Sequence, residues 1–126
     1  MESQCSTIKD DLKRFTGSIV LYQIPLLKTT FTDGIKYLAE TAKCFWLVTD
    51  TSAYAKTLMG KSYFVTIDFK RLAEKKQQRS DFNFELIYSD GNGNIFGKFK
   101  YRATDFPMDE LRLFFINNTL MLTSEY

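Results

Sequence analysis

Residues 82–101 read FNFELIYSDGNGNIFGKFKY, and this stretch decides the fold class. Apolar or aromatic residues stand at every second position before the glycines, and a similar alternation with lysines returns after them. A period of two is that of a β-strand with one apolar face. Asn and Gly reach positive φ angles with little strain, which tight connections between strands require. The stretch therefore predicts a β-hairpin of strands 82–88 and 95–101.

The glycine-rich turn of this hairpin also resembles parts of two ligand-binding motifs. With Gly93 as the glycine of a calcium-binding EF-hand loop, Tyr88 stands where Asp is needed and Phe99 where Glu is needed. A dinucleotide fingerprint fails too, because Gly91, Gly93 and Gly97 have the wrong spacing and a strand follows them. We interpret the stretch as a turn and predict neither a metal site nor a cofactor site.

The rest of the chain predicts further strands and a group of helices. Alternation and short apolar runs predict strands, and apolar residues at helical spacing after Thr or Asp caps predict helices. The additional strands cover residues 18–23, 63–70, 111–115 and 119–123, with a short extended piece at 28–31. The predicted helices cover residues 7–17, 35–48 and 51–58.

The order of these elements indicates an α+β fold in a single domain, residues 1–126. Strands that follow one another through short turns form an antiparallel sheet. We expect about five or six strands with two or three helices packed on one face.

The chain contains no histidine, and its net charge is only +2. Nucleophile systems that need a histidine base are excluded, and we predict no catalytic residues. Cys5 and Cys44 lie far apart, which argues against a disulfide framework and a zinc site. The N-terminus lacks the apolar run of a signal peptide, and no stretch reaches membrane-spanning length. We therefore expect a cytoplasmic protein that does not bind membranes.

Residues 70–79 read KRLAEKKQQR, with five basic residues and one acid. Basic residues on the strand after the turn could extend this segment into a patch for nucleic acid or another partner. The members of this candidate basic patch are Lys70, Arg71, Lys75, Lys76, Arg79, Lys98, Lys100 and Arg102. A solvated connection between strands explains the same charges, and the low net charge favours that interpretation.

Aromatic residues make up 16% of the chain, which favours sheet structure and binding surfaces alike. We interpret the aromatic residues of the helical region as core, and they are Tyr37, Phe45, Trp46 and Tyr54. Tyr and Trp are frequent interface anchors, and Phe96 is available for stacking. The candidate anchors for a partner are therefore Tyr54 and Phe96.

The acidic residues predict no catalytic or metal-binding pair. Asp109 and Glu110 are neighbours in sequence, and neighbours do not face one another on a strand or a helix. Asp33 is typical of a helix cap and Asp105 of a turn. The acids considered are Asp33, Glu40, Asp50, Asp105, Asp109 and Glu110.

Four blocks of sequence resemble a known family. They are LKRFTGS (12–18), FTDGIKYLAETAKCFWLVTD (31–50), DGNGN (90–94) and TDFPMDELRLFFINNTLMLTSEY (104–126). With the patterns TDG-x-KYLAE and TDFP-x-DE, the chain is similar to small bacterial and phage proteins grouped as a domain of unknown function. Relatives often carry a His-Gln pair where residues 51–54 read TSAY, so a histidine-dependent role does not carry over. The resemblance implies an accessory gene of bacteria, phages and mobile elements, and it supplies no activity.

Three functional hypotheses follow from the sequence. The first is a non-enzymatic protein-binding module of bacterial, phage or mobile-element origin, with inhibition or modulation of a host defence system as one version. The second is nucleic-acid binding through the basic residues of segment 70–79 and the strand that follows the turn. The third is a metal-dependent enzyme that uses carboxylates.

Overall fold

In the residues that the structure describes, seven β-strands form one sheet in the order β1-β2-β7-β6-β3-β4-β5. The computed structural model describes residues 8, 10–14, 21–73, 82–102 and 106–126. The strands are β1 (Leu21–Ile24), β2 (Thr29–Thr32), β3 (Phe64–Arg71), β4 (Phe84–Ser89), β5 (Ile95–Tyr101), β6 (Glu110–Ile116) and β7 (Thr119–Leu122). The helices are α1 (Asp33–Thr41) and α2 (Phe45–Thr57), with a 3-10 turn at Thr123–Glu125 and helical residues at 8 and 10–12. The α+β class predicted from the sequence is confirmed.

The sheet has more strands than the five or six that the sequence predicted. The predicted short extended piece at 28–31 is a full member of the sheet, β2, which pairs antiparallel with β1 and parallel with β7. The strand predicted at 18–23 is observed as β1, and residues 18–20 lie outside the described ranges. β2 has only four residues, which is too short for a periodic pattern to stand out.

The helix predicted at residues 35–48 is interrupted. α1 ends before Lys43, which takes a left-handed φ of 53°, and α2 then continues without the predicted break near residue 50. Cys44 N donates a hydrogen bond to Ala39 O at 3.0 Å across this connection. This interruption was not predicted from the sequence. Both helices bury apolar residues close to the break, so the apolar pattern continues through it without a gap. In the described ranges, no helix is long and apolar enough to cross a membrane.

Alternation along the long strands gives the sheet a buried face and an outer face. Val65, Ile67 and Phe69 of β3 are buried beside the equivalent residues of β4 and β6. α2 packs on this buried face, where the Trp46 ring centroid lies 6.0 Å from that of Phe69. Residues at the intervening positions, such as Lys70, belong to the outer face.

The glycine-rich turn joins β4 to β5, as predicted. Gly91 and Gly93 have φ angles of 84° and 94°, which side chains other than glycine rarely adopt. Asp90 accepts hydrogen bonds from Asn92 N at 2.7 Å and from Asn94 Nδ2 at 2.6 Å. The bond from the Asn94 side chain, followed by that from Asn92, lowers the pKa of the Asp90 carboxyl. Its carboxylate therefore organises its own loop.

The last strand, β7, joins the two parts of the sheet, because it pairs with β6 on one side and with β2 on the other. Thr30 N donates to Asn118 O at 3.0 Å, and the hydroxyls of Thr30 and Thr119 lie 2.6 Å apart. Asn118 Nδ2 donates to Lys28 O at 2.7 Å. Asn117 and Asn118 both have positive φ angles, as a two-residue hairpin turn between β6 and β7 requires. We call the pairing of β2 with β7 the β2–β7 seam.

Glu125 joins the C-terminus to the start of α1. Its Oε1 accepts hydrogen bonds from Thr32 Oγ1 at 2.5 Å and Leu122 N at 3.0 Å, and its Oε2 accepts from Gly34 N at 3.3 Å. A carboxylate is favourable there because the first N–H groups of a helix lack partners and the helix dipole is positive at that end. A Cβ on Gly34 would lie 2.6 Å from both Glu125 Oε1 and Leu122 Cδ1. Glycine therefore permits this close approach.

We expect Glu125→Gln to lower the free energy of unfolding by about 1–2 kcal/mol, because it removes a charge that accepts three hydrogen bonds at a helix N-terminus. Urea unfolding at neutral pH, followed by circular dichroism, measures the change as a shift in midpoint at constant slope. Glu40→Gln is the matched control, since Glu40 is exposed and forms only a 3.7 Å pair with Lys36. Equal midpoints for Glu125→Gln and Glu40→Gln would contradict the role of Glu125.

Candidate binding cleft

A cleft of about 450 Å3 lies between α2 and the strands at the β5 edge of the sheet. The helix contributes residues roughly one turn apart, which face the same side. The strands contribute residues of the buried face, which stand at alternate positions. Its lining residues are Asp50, Ala53, Tyr54, Thr57, Tyr88, Phe99 and Tyr101. We call this site the Tyr54 cleft.

Aromatic contacts set the shape of the Tyr54 cleft. The Tyr54 ring centroid lies 4.5 Å from that of Tyr88 and 4.8 Å from that of Phe99. At the other end, the rings of Trp46 and Tyr101 stack with centroids 6.0 Å apart. Tyr88 is 1% exposed, whereas Phe99 is 40% and Trp46 37% exposed. The cleft thus has a buried aromatic floor and accessible aromatic edges.

Gly97 of β5 allows Tyr54 to reach the edge strand. The Tyr54 hydroxyl donates a hydrogen bond to Phe96 O at 3.3 Å. A Cβ on Gly97 would lie 2.5 Å from the Tyr54 hydroxyl oxygen and 3.2 Å from Phe99 Cε2. Of the two predicted anchors, Tyr54 therefore contacts the main chain of Phe96. Neither side chain is fully exposed, since both Tyr54 and Phe96 pack partly against the core.

The ionisable groups of the cleft give it one negative charge. Burial raises the pKa of Tyr88, and the nearby Tyr101, Asp50 and Tyr54 raise it further. Burial also raises the pKa of Tyr101, with smaller contributions from the charge and hydrogen bonding of Asp50. Both phenols consequently stay neutral at physiological pH. Asp50 is exposed, and the described residues that line the cleft include no Lys or Arg.

The combination of Asp50 with the three tyrosines was not predicted from the sequence. Asp50 was considered as one of several scattered acids, and Tyr54 as a core residue or a separate anchor. The spacing of Trp46, Asp50 and Tyr54, four residues apart on one helix, was the available signal. Their partners on β4 and β5 are distant in sequence, so only the fold brings the two sets together.

The other helical aromatic residues take separate positions. Tyr37 donates a hydrogen bond to Asp11 Oδ2 at 2.6 Å, and this bond is the main reason that the pKa of Tyr37 is raised. The Phe45 ring packs edge-on against Phe31 of β2, with centroids 6.3 Å apart. The predicted aromatic cluster is therefore spread over the helix-bearing side of the sheet.

Three lysines of the candidate basic patch share the outer face with carboxylates. The register places Lys100 of β5 opposite Glu85 of β4 and places Glu85 opposite Lys70 of β3. Lys70 in turn lies opposite Glu110 of β6. Lys98 lies two residues before Lys100 on the same face. Basic and acidic residues therefore alternate across this row of four strands.

The arginines of the candidate patch lie apart from that row. Arg71 Nε donates to Asp109 Oδ1 at 2.8 Å, and its guanidinium lies 4.7 Å from the Phe84 ring centroid. Arg102 is exposed just after β5. The remaining members of the patch lie outside the described residues, and they are Lys75, Lys76 and Arg79.

The other acids considered in the sequence are separated. Asp33 lies in the first turn of α1, Glu40 pairs with Lys36, and Asp109 holds the salt bridge with Arg71. Asp105 lies outside the described residues. Within the part of the chain that the structure describes, no three His, Cys, Asp or Glu side chains are grouped so that they could hold a metal ion.

A second cavity of about 400 Å3 lies where residues 12–13 approach β6 and the end of β7. Its lining includes both acids and bases. In this lining, Arg112 Nε of β6 donates to Asp68 Oδ1 of the neighbouring strand β3 at 2.7 Å. Because opposite charges are already paired there, the Tyr54 cleft is the stronger candidate for a binding site.

A family model described as "Family of unknown function (DUF6876)" matches residues 6–126, nearly the whole chain. The chain therefore belongs to this family. No curated protein and no solved structure matches the chain. The family assigns no activity, so a function has to be argued from the geometry of the site.

We expect Gly97→Ala to destabilise the fold by about 1–3 kcal/mol, because the new methyl group would overlap the Tyr54 hydroxyl and force the ring to move. In a Tyr54→Ala background the same substitution should cost less than about 0.5 kcal/mol, since the obstructing side chain is gone. Urea unfolding of the four proteins measures this coupling.

Gly60→Ala is the matched control for that cycle, since a Cβ at Gly60 meets no atom within 4 Å. The same cost for Gly97→Ala in both backgrounds would mean that Tyr54 does not occupy the position described.

Proposed function

We propose that this member of the DUF6876 family is a non-enzymatic protein-binding module that receives a segment of its partner in the Tyr54 cleft. One observation carries the proposal: three tyrosines, an accessible phenylalanine and one exposed carboxylate line a single open cleft at the edge of the sheet. Ligand sites are typically concave, with mostly aromatic or apolar walls and a few polar groups that orient the ligand.

The accessible aromatic residues support a protein partner. Tyr and Trp contribute much contact area at low entropic cost and are enriched among the residues that dominate interfaces. Phe99 and Trp46 are each more than a third exposed at the rim of the cleft, although neighbouring aromatic rings fix one side of each. Because neighbouring rings already order these two side chains, covering them with a partner costs little further side-chain entropy.

The chemistry of the ionisable groups supports binding over catalysis. The only carboxylate of the cleft, Asp50, is exposed, and burial holds the phenols of Tyr88 and Tyr101 in the neutral form. Of the two cysteines, only Cys44 lies in the part of the chain that the structure describes. Burial raises the pKa of its thiol to about 12. A thiol in this state is a poor nucleophile. These groups can hydrogen-bond a ligand, but they offer no activated base or nucleophile.

The biological setting belongs to the same proposal. The sequence resemblance to bacterial and phage proteins supports an accessory module of mobile elements that acts in the cytoplasm. Inhibition or modulation of a host defence protein is one form that such a module takes. Genes of a defence island or an early phage operon beside this one would support that form.

Nucleic-acid binding through the basic patch is the second candidate function. Lys98, Lys100 and Arg102 on and just after the edge strand favour it. The alternation of Lys100 and Lys70 with Glu85 and Glu110 weakens it, because the carboxylates repel phosphate groups. A carboxylate-based metal enzyme ranks third, since the acids of the described residues are dispersed.

We expect the chain to capture a specific protein from a bacterial lysate and to lose it when the cleft is filled. Ala53 lines the cleft and is half-buried, so Ala53→Arg places a long side chain inside it without interrupting α2. Quantitative mass spectrometry of the captured proteins should show the partner reduced about tenfold or more, which is the usual loss at a central interface residue.

Tyr63→Arg is the matched control, since Tyr63 is 76% exposed and does not line the cleft. It should capture the same partner as the unchanged chain. Identical sets of proteins with Ala53→Arg and with the unchanged chain would overturn the proposed function.

A further inference from the structure

We propose that the Tyr54 cleft recognises a positively charged side chain, the ammonium of lysine or the guanidinium of arginine, in the segment that the partner presents. This inference rests on the proposed function, because it names the chemistry of the group that enters the same cleft. The observation behind it is that, among the described residues that line the cleft, Asp50 is the only charged one and the others are aromatic, small or uncharged.

The charge of the cleft differs from that of the surfaces around it. On the outer face of β5, Lys98 and Lys100 give the edge strand positive charge, whereas its other face borders Asp50. The protein as a whole carries a net charge of +2. The exposed carboxylate is thus a local negative site on a basic protein, and it attracts a cation while it repels phosphate and carboxylate groups.

The aromatic rings favour the same ligand. The face of an aromatic ring carries partial negative charge, so a cation within about 6 Å of its centre is attracted. Tyr54, Tyr101 and Phe99 offer such rings around the cleft, and Phe99 is 40% exposed. The methylene groups of a lysine or arginine stem can cover these rings while the charged end reaches Asp50.

Tyr101 lines the cleft together with Asp50. Burial, followed by the charge and hydrogen bonding of Asp50, raises the pKa of the Tyr101 phenol, so the phenol stays neutral and Asp50 supplies the charge that meets the cation. A carboxylate has two oxygens and about four acceptor sites, which allows Asp50 to accept hydrogen bonds from a cation. Asp50 is therefore assigned the contact with the charged group, and Tyr101 forms a neutral wall beside it.

Capped pentapeptides that differ only at the central residue test the proposal, with Lys, Arg, norleucine or Glu between alanines. Binding to the full chain is measured by two-dimensional NMR with peptide up to about 10 mM, a range that captures weak single-side-chain binding. The Lys and Arg peptides should shift the amide signals of Ala53, Tyr54, Phe99 and Tyr101. Norleucine has a chain similar to lysine without the charge, and its peptide should bind at least about fivefold more weakly. Butylammonium in place of the peptides shows whether a free amine suffices.

Asp50→Asn should weaken the Lys and Arg peptides about two- to fivefold and leave the norleucine peptide unchanged, because only the charge is removed. Glu85→Gln removes an equal charge from the outer face and should leave all affinities unchanged. A dispersed spectrum for each variant shows that it folds. For the unchanged chain, the difference between Lys and norleucine should shrink as salt is raised.

Equal binding of the Lys and norleucine peptides would overturn the proposal, as would stronger binding of the Glu peptide or no shift with any peptide. If the partner captured in the lysate experiment is still lost with Ala53→Arg but not with Asp50→Asn, the cleft binds protein through its aromatic residues alone. That result would overturn the cation assignment and leave the proposed function standing.

Discussion

The β2–β7 seam is the contact on which the arrangement of the whole chain depends. A hairpin of β1 and β2 at one end and the strands β6, β3, β4 and β5 at the other have no direct pairing with each other. β7 lies between them, and only two residue pairs, Thr30 with Thr119 and Phe31 with Leu120, form its parallel ladder with β2. So short a ladder needs support, which the side-chain bonds of Thr30 and Asn118 and the carboxylate of Glu125 provide.

The position of the Tyr54 cleft follows from this seam. β2 leads directly into α1, and Glu125 holds the first turn of that helix against the end of β7. The left-handed Lys43 then redirects the chain, and the contact of Phe45 with Phe31 fixes the start of α2 over β2. From there α2 runs along the buried face beside β5, with Trp46 against Tyr101 near its start and Tyr54 against Phe99 near its end. A displacement of β2 would therefore move the helical wall of the cleft relative to its strands.

The sequence predicted the parts of this fold that repeat a local pattern over several residues. The β4–β5 hairpin, β3 and β6 have clear alternation, and the Asn and Gly residues mark their turns. The four-residue strand β2, which was predicted only as a short extended piece, and the break at Lys43 leave no such pattern. In the region of the cleft, the sequence predicted Tyr54 and Phe96 as candidate aromatic anchors for a partner. Asp50 was not singled out, because its place in the cleft depends on Tyr88 and Tyr101, which approach it only through tertiary packing.

Native-state hydrogen exchange over a range of denaturant concentrations tests the central role of the seam most directly. If β7 joins the two parts of the sheet into one unit, the amides of Phe31, Ile67, Leu86 and Leu120 should exchange with one common free energy, that of global unfolding. The account would be contradicted if Phe31 and the amides of α1 exchanged at a free energy lower by more than about 2 kcal/mol while β3, β4 and β6 stayed protected.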